Sequence, residues 1–113
     1  EHVADDCEAF RELLRVTATD GFLQMTVPKP TEITETDDWG FADSTQNGHY
    51  RHYGPDLIAR FLEACPGVQV LSVLSKDKIT GAKGLVYFWS RSQKTLDQIQ
   101  KSLGDRFQVG RDK

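Results

Sequence analysis

The sequence predicts an α+β domain in which a ferredoxin-like βαββαβ order follows one additional N-terminal helix. Three segments carry apolar residues at helical spacing, four shorter segments have the patterns of strands, and prolines and glycines separate them. A chain of 113 residues suits one ordinary domain, so we expect residues 1–113 to form a single α+β unit. We expect an antiparallel sheet with two helices on one face and the N-terminal helix at an edge or end.

The first two elements are a helix and a strand. Between Val3 and Val16, apolar residues recur every three or four positions and acidic residues fill the other face, as in an amphipathic helix. The stretch Phe22–Val27 then alternates apolar and polar side chains until Pro28. This alternation predicts a half-buried strand.

Residues 28–53 are predicted to form a long loop after the first strand. They contain two prolines at their start, an Asn47-Gly48 turn signal and no sustained apolar period. So long an irregular connection is uncommon inside a compact domain unless it is functional, mobile or structured in its own right. Trp39 and Phe41 indicate at least one anchor or a short strand within it.

Residues 54–113 are predicted to form a helix, a two-stranded hairpin, a second helix and a last strand. Pro55 suits the first turn of the first of these helices, and Gly104 suits the end of the second. The hairpin strands, Val68–Leu74 and Leu85–Trp89, carry apolar side chains on both faces. Residues 1–53 or another chain must therefore cover the sheet, because an apolar patch of that size left bare usually marks an interface.

Charge is distributed unevenly along the chain. Residues 1–75 carry 5 basic and 13 acidic side chains, whereas residues 76–113 carry 9 basic and 4 acidic ones. Such asymmetry marks a partner-binding face, or reflects two halves that attract each other or are simply solvated. No apolar run approaches the roughly 20 residues of a membrane helix, so we expect a soluble chain without a membrane partner.

The two cysteines, Cys7 and Cys65, belong to no CxxC or Cys/His spacing, so a zinc site on them has no support. Both fall on apolar helical faces, where buried free thiols are expected and a single disulfide is the alternative. The chain begins at Glu1 instead of Met, as a secreted protein does after signal cleavage and as a fragment also does. The compartment, cytoplasmic or secreted, stays open.

Residues 56–90 resemble the middle of an RNA-recognition motif. The run DLIARFLEACPGVQVLSVLSKDKITGAKGLVYFWS gives a helix, a Gly, a strand, a charged hairpin and a strand in that family's order. Lys83, Gly84 and Tyr87 suit the family's third-strand signature, and Leu85 stands where its first stacking aromatic is expected. The resemblance implies single-stranded nucleic-acid binding by the basic aromatic segment 76–94, in which cations contact phosphates and rings stack on bases. The candidate residues for this alternative are Lys76, Lys78, Lys83, Tyr87 and Arg91.

A second alternative is a small metal-dependent or acid–base hydrolase centred on His49 and His52. Two imidazoles with carboxylates upstream are suited to proton transfer or to binding a divalent metal. A spacing of three residues brings side chains together only on a helix, and this segment does not read as one. No nucleophile, P-loop or dinucleotide motif is present, so we assign no catalytic residue, metal ligand or cofactor.

The leading interpretation is a non-enzymatic protein-binding module of interaction, inhibitor or immunity type. Its acidic first half suits a basic protein partner, and self-association through the sheet is the other route. The candidate partner-binding residues are aromatic or lie beside aromatic residues: Trp39, Phe41, Tyr50, Arg51, Tyr87 and Trp89.

Overall fold

The computed structural model describes residues 1–113 as three helices, six strands and two short 3₁₀ turns. The helices are α1 (Asp6–Arg15), α2 (Leu57–Ala64) and α3 (Gln93–Leu103). The strands are β1 (Leu23–Met25), β2 (Asp37–Asp43), β3 (His49–His52), β4 (Gln69–Lys76), β5 (Lys83–Ser90) and β6 (Gln108–Asp112). None of the helices has the length and apolarity needed to cross a membrane.

Four of the strands form one antiparallel sheet in the order β1-β5-β4-β6. The long hairpin of β4 and β5 is its centre, with Val70 opposite Trp89 and Val73 opposite Val86. The last strand pairs with β4, so Val109 lies opposite Val73. The predicted α+β class and the antiparallel sheet are confirmed.

The helices cover both faces of this sheet. On one face, α1 and α2 bring Phe10, Leu57 and Phe61 against Trp89 and Tyr87. On the other face, α3 packs through Leu96 against the β4 residues Leu71 and Val73. The expectation that two helices share one face after βαββαβ is therefore wrong, and the ferredoxin-like arrangement is not confirmed. The physical reason lies in β4 and β5, which are apolar on both faces and so require a cover on each.

The position expected for α1 also requires correction. It lies on the sheet face beside α2 rather than at an edge or end, and the Phe10 ring stacks on Phe61 at 4.5 Å between centroids. The Phe10 ring also meets Trp89 edge-on at 4.9 Å. The N-terminal helix thus supplies part of the cover that the two-sided strands need.

The segment 28–53 is not one long loop. It contains the separate two-stranded antiparallel sheet of β2 and β3, joined through the 3₁₀ turn Ser44–Gln46. Trp39 and Phe41 both lie on β2, so of the two predicted alternatives, an anchor or a short strand, the strand is present. This small sheet pairs with no strand of the larger one.

Candidate functional site

The sequence-predicted aromatic residues of β5 belong to the core. Tyr87 and Trp89 are buried among the side chains of α1 and α2, with almost none of their surface exposed. A ring in that position can neither stack on a base nor contact a partner protein while the domain is folded. The cover that the sheet requires comes from the chain itself.

Arg51 on β3 is also buried, with 1% of its surface exposed. Its Nε donates to Asp38 Oδ2 at 2.8 Å, and its two terminal nitrogens donate to the carbonyl oxygens of Val3 and Ala4 at 2.6 and 2.7 Å. All three nitrogens of the guanidinium therefore have partners within the chain. Arg51 binds the N-terminal segment, β2 and β3 together and is not free to contact another molecule.

Beneath Arg51 lies the carboxylate of Asp6, 5% exposed in the first turn of α1. Arg60 of α2 donates two hydrogen bonds to the Asp6 carboxylate, from Nε at 2.8 Å and from Nη2 at 2.7 Å. The Tyr53 hydroxyl donates a third at 2.7 Å. Arg60 also reaches Asp38 at 3.2 Å. The residues Asp6, Asp38, Arg51, Tyr53 and Arg60 thus form one connected group, here called the buried ion network.

The pKa values in this network follow from burial and from these bonds. Burial by itself would raise the pKa of Asp6, but the hydrogen bonds from Arg60 and Tyr53 and the charge of Arg51 outweigh it and lower that pKa to about 2. Burial raises the pKa of Tyr53, and the hydrogen bond to Asp6 raises it further. Asp6 is therefore a carboxylate, and Tyr53 is a neutral donor, at any ordinary pH.

Sequence reasoning missed Asp6 and Arg60 as members of a network. The helical pattern between Val3 and Val16 places Asp6 on the polar face, and no sequence motif marks Arg60. Only the packing of α1 on α2 brings these two residues together, 54 positions apart in sequence. The contact between Asp6 and Arg60 depends on tertiary packing, so no local sequence spacing predicts it.

Next to this network lies the β2–β3 pair, of which residues 35–50 are here called the acidic hairpin. The pairing register shifts between Asp38 and Asp43, and within this bulge Gly40 adopts φ 78°. Residues other than glycine rarely adopt a positive φ, which explains the glycine at this position. Bulges commonly redirect the side chains next to them. At this bulge Phe41 is 57% exposed. Trp39 is half-buried, and its indole N–H donates to the His49 carbonyl at 2.8 Å.

The acidic hairpin has one sign of charge. Residues 35–50 carry four acidic side chains and no basic one. Asp38 is paired with Arg51 and Arg60 in the buried ion network, which leaves Glu35, Asp37 and Asp43 without a cationic partner. The hydroxyl and backbone N–H of Thr45 both donate to Asp43, and these bonds lower the pKa of Asp43. The exposed Phe41 ring is thus part of a negatively charged segment.

Tyr50, His49 and His52 occupy β3 in different surroundings. Tyr50 is half-buried, with its ring 5.8 Å from the Arg51 guanidinium. The His49 ring meets His2 edge-on at 4.3 Å, whereas a ring nitrogen of His52 lies 3.1 Å from the Lys29 carbonyl. The two imidazoles thus contact different parts of the chain, although both histidines border the same cavity of about 10 Å³.

The basic candidates divide into two places. Lys76, Lys78 and Lys83 are exposed around the turn between β4 and β5, whose tip carries Ile79 at 95% exposure. Arg91 follows the other end of β5, about 26 Å away at the usual rise per residue, and donates to the Leu14 carbonyl at 2.8 Å. These residues therefore do not form one continuous surface.

Beside the basic turn lies a cleft of about 400 Å³, walled on one side by residues 26–31 and on the other by the adjoining parts of β4 and β5. Leu74 and Leu85 form part of its apolar floor, and its charged groups are Lys29 and Lys83. Neither a carboxylate, an imidazole nor a thiol lines it. The cleft thus offers no carboxylate or imidazole for acid–base chemistry.

Both cysteines are free and half-buried. Burial raises the pKa of the Cys7 thiol and that of the Cys65 thiol, so both are poorer nucleophiles than an exposed cysteine. The sequence predicts buried free thiols, and in the structure both thiols are free but only half-buried.

Comparison with known proteins found no matching family model, no matching curated protein and no matching solved structure. Function must therefore be inferred from the geometry of this chain.

Proposed function

We propose that the protein is a non-enzymatic protein-binding module that presents the acidic hairpin to a basic partner protein. The observation that carries the proposal is Phe41, a large aromatic side chain 57% exposed at a bulge within an acidic segment. Buried aromatic anchors supply much of the binding energy at protein interfaces. An exposed one with acids on either side is suited to a partner pocket that is apolar inside and basic at its rim.

The buried ion network holds the acidic hairpin in place, and this order favours binding of a partner. Arg51 joins β3 to Asp38 of β2 and to the backbone of residues 3 and 4, and Asp6 and Arg60 hold the network from α1 and α2. A surface that is already ordered loses less entropy when a partner docks. The buried ion network therefore serves to fix the hairpin in one conformation.

A different protein is favoured over a second copy of this chain. The outer edge of β2 has no strand beside it, but the strand carries the unpaired acids Asp37 and Asp43 and is interrupted by the bulge. Charges and bulges on an edge strand are the features that keep like edges apart. Two acidic hairpins repel each other, whereas a basic partner is attracted and its association accelerated.

The alternatives have less support from the geometry. The nucleic-acid alternative keeps its exposed lysines at 76, 78 and 83, but the Tyr87 ring is not exposed for stacking. The hydrolase alternative relied on His49 and His52 acting together, and these side chains contact different parts of the chain.

Photocrosslinking tests the proposal. A benzoylphenylalanine is placed at position 41 in one preparation and at position 79 in another, since both positions are exposed and carry a large apolar side chain. Each preparation is mixed with extract of the source cells, irradiated, and analysed by mass spectrometry. We expect one protein to be captured saturably from position 41 and not from position 79, through a peptide rich in Lys and Arg.

The captured protein is then purified and its binding measured directly, with the wild-type chain as competitor. Capture of the same set of proteins from both positions, or capture from position 41 that excess unlabelled chain does not reduce, would overturn the proposal. Capture confined to position 79, or reduced by single-stranded RNA, would favour the basic turn instead.

A further inference from the structure

A second cluster of functional groups lies where the N-terminal residues meet β3. The carboxylate of Glu1 and the imidazoles of His2 and His49 place one potential ligand atom each within 4.8 Å of the other two. His2 Nε2 lies 3.8 Å from Glu1 Oε1, and the two imidazole rings are in edge-to-face contact. Two imidazoles with one carboxylate form a donor set that Zn²⁺ and its first-row neighbours accept readily.

The backbone holds these groups together. The Tyr50 N–H donates to the Glu1 carbonyl at 2.7 Å, which fixes residue 1 beside the strand that carries His49. Arg51, the next residue of β3, donates to the carbonyls of Val3 and Ala4. The backbone is therefore bonded to β3 both at residue 1 and just after residue 2. The ligands therefore come from two chain segments whose relative position is already set.

We propose that Glu1, His2 and His49 bind a divalent transition-metal ion, for which Zn²⁺ is the reference case. Ligand atoms about 2.0–2.1 Å from a tetrahedral zinc lie about 3.3 Å from one another, so separations that now reach 4.8 Å at most must shorten by at most about 1.5 Å. His2 supplies that movement, because 60% of its side chain is exposed. A water molecule completes the fourth position.

The site is one for binding an ion at the surface and not for enclosing a substrate. The cavity next to it, lined by Glu1, His49 and Arg51 among others, measures only about 10 Å³. The charge of Arg51 does not oppose the ion strongly, since Asp38 lies 2.8 Å and Asp6 3.8 Å from its Nε. A bound ion would join residues 1 and 2 to β3 and so stabilise that side of the acidic hairpin.

Calorimetric titration of the untagged protein with ZnCl₂ tests the site, with MgCl₂ as the comparison because Mg²⁺ prefers oxygen ligands. We expect one Zn²⁺ per chain and no Mg²⁺ binding. His2→Ala and His49→Ala should each weaken Zn²⁺ binding by at least about tenfold, since even loss of an outer partner of a metal ligand costs 10–100-fold. His52→Ala is the matched control, because it removes a histidine from the same strand but from outside the cluster. The Zn²⁺ affinity of this variant should stay within about twofold of the wild-type value.

A second readout separates a specific site from adventitious binding. Hydrogen exchange of the Tyr50 amide should slow on adding Zn²⁺ to the wild-type protein and should not change in His2→Ala, whose exposed side chain can be removed without unfolding the domain. Absence of saturable one-to-one binding, or binding that survives both His2→Ala and His49→Ala, would overturn the proposal. Equal loss in the His52→Ala protein would overturn it as well. None of these results depends on a partner protein, so the metal site stands or fails separately from the protein-binding proposal.

Discussion

Replacing Asp6 by Asn tests how much the buried ion network contributes to the free energy of unfolding. The substitution keeps the size of the side chain and removes its negative charge, while Arg60 and Tyr53 remain pointed at it. Breaking a buried ion pair by neutralising one partner costs about 3–5 kcal/mol, because the other charge is left without compensation. Arg60 is 32% exposed and keeps its contact with Asp38, so we expect the lower end of this range, about 3 kcal/mol.

This loss is large beside the total stability of an ordinary domain, about 5–15 kcal/mol. At about 2.1 cal/mol/K of unfolding entropy per residue, a chain of 113 residues changes its melting temperature by about 4 °C for each kcal/mol. We therefore expect Asp6→Asn to lower the melting temperature by about 12 °C and to shift urea unfolding accordingly. Asp5→Asn is the matched control, since Asp5 is exposed and Asn caps the start of α1 as well as Asp does.

The same substitution has a pH signature. The pKa of Asp6 is about 2 in the folded protein against 3.8 for an ordinary aspartate. Because the folded-state pKa is the lower one, the carboxylate contributes stability, on the order of 2 kcal/mol, above about pH 4 and loses it as the pH falls toward 2. Asparagine does not titrate, so this part of the acid destabilisation should be missing in Asp6→Asn and present in Asp5→Asn. A loss below about 1 kcal/mol with an unchanged acid profile would refute the structural account of the network.

Three further substitutions test the positions assigned to other residues, each by urea unfolding. Tyr87→Ala should lower the free energy of unfolding by about 3–5 kcal/mol, because it empties a core position, whereas a Tyr87 exposed for stacking would lose less than 1 kcal/mol. Ser72→Ala should raise stability by about 1 kcal/mol, since the Ser72 hydroxyl is buried without a hydrogen-bond partner; a loss would mean that the hydroxyl is satisfied after all. Gly40→Ala should cost about 1–2 kcal/mol through its φ of 78° alone, because nothing lies within 4 Å of the added methyl. A neutral result would mean that residue 40 does not adopt this left-handed conformation.

The parts of the fold that sequence predicted well are those with strong local periodicity. The two-sided apolar character of Val68–Leu74 and Leu85–Trp89 identified β4 and β5 to within two residues of their ends. The same two-sided character predicted that the sheet must be covered on both faces. Which element covers which face depends on tertiary packing, and the inferred order of elements led to the wrong arrangement.

The candidate site was predicted less well, for a related reason. Trp39 and Phe41 drew attention as aromatics in a polar segment, and the bulge of β2 leaves Phe41 exposed. Arg51 and Trp89 drew attention by their type alone, and the fold buries both. A sequence shows that a ring or a charge is present, but its burial is decided by contacts with residues about 50 positions away, such as those that join Arg51 to Val3 and Ala4.

The central claim is that Phe41 anchors a basic partner, and the affinity of the crosslinked partner for defined variants tests it most directly. The dissociation constant is measured by calorimetry for the wild-type protein, for Phe41→Ala and for Ile79→Ala, after urea unfolding has shown that all three are equally stable. We expect Phe41→Ala to weaken binding by about 30-fold, the effect of losing a hot spot of about 2 kcal/mol, and Ile79→Ala to leave it unchanged. Equal affinity of the wild-type and Phe41→Ala proteins would contradict the account.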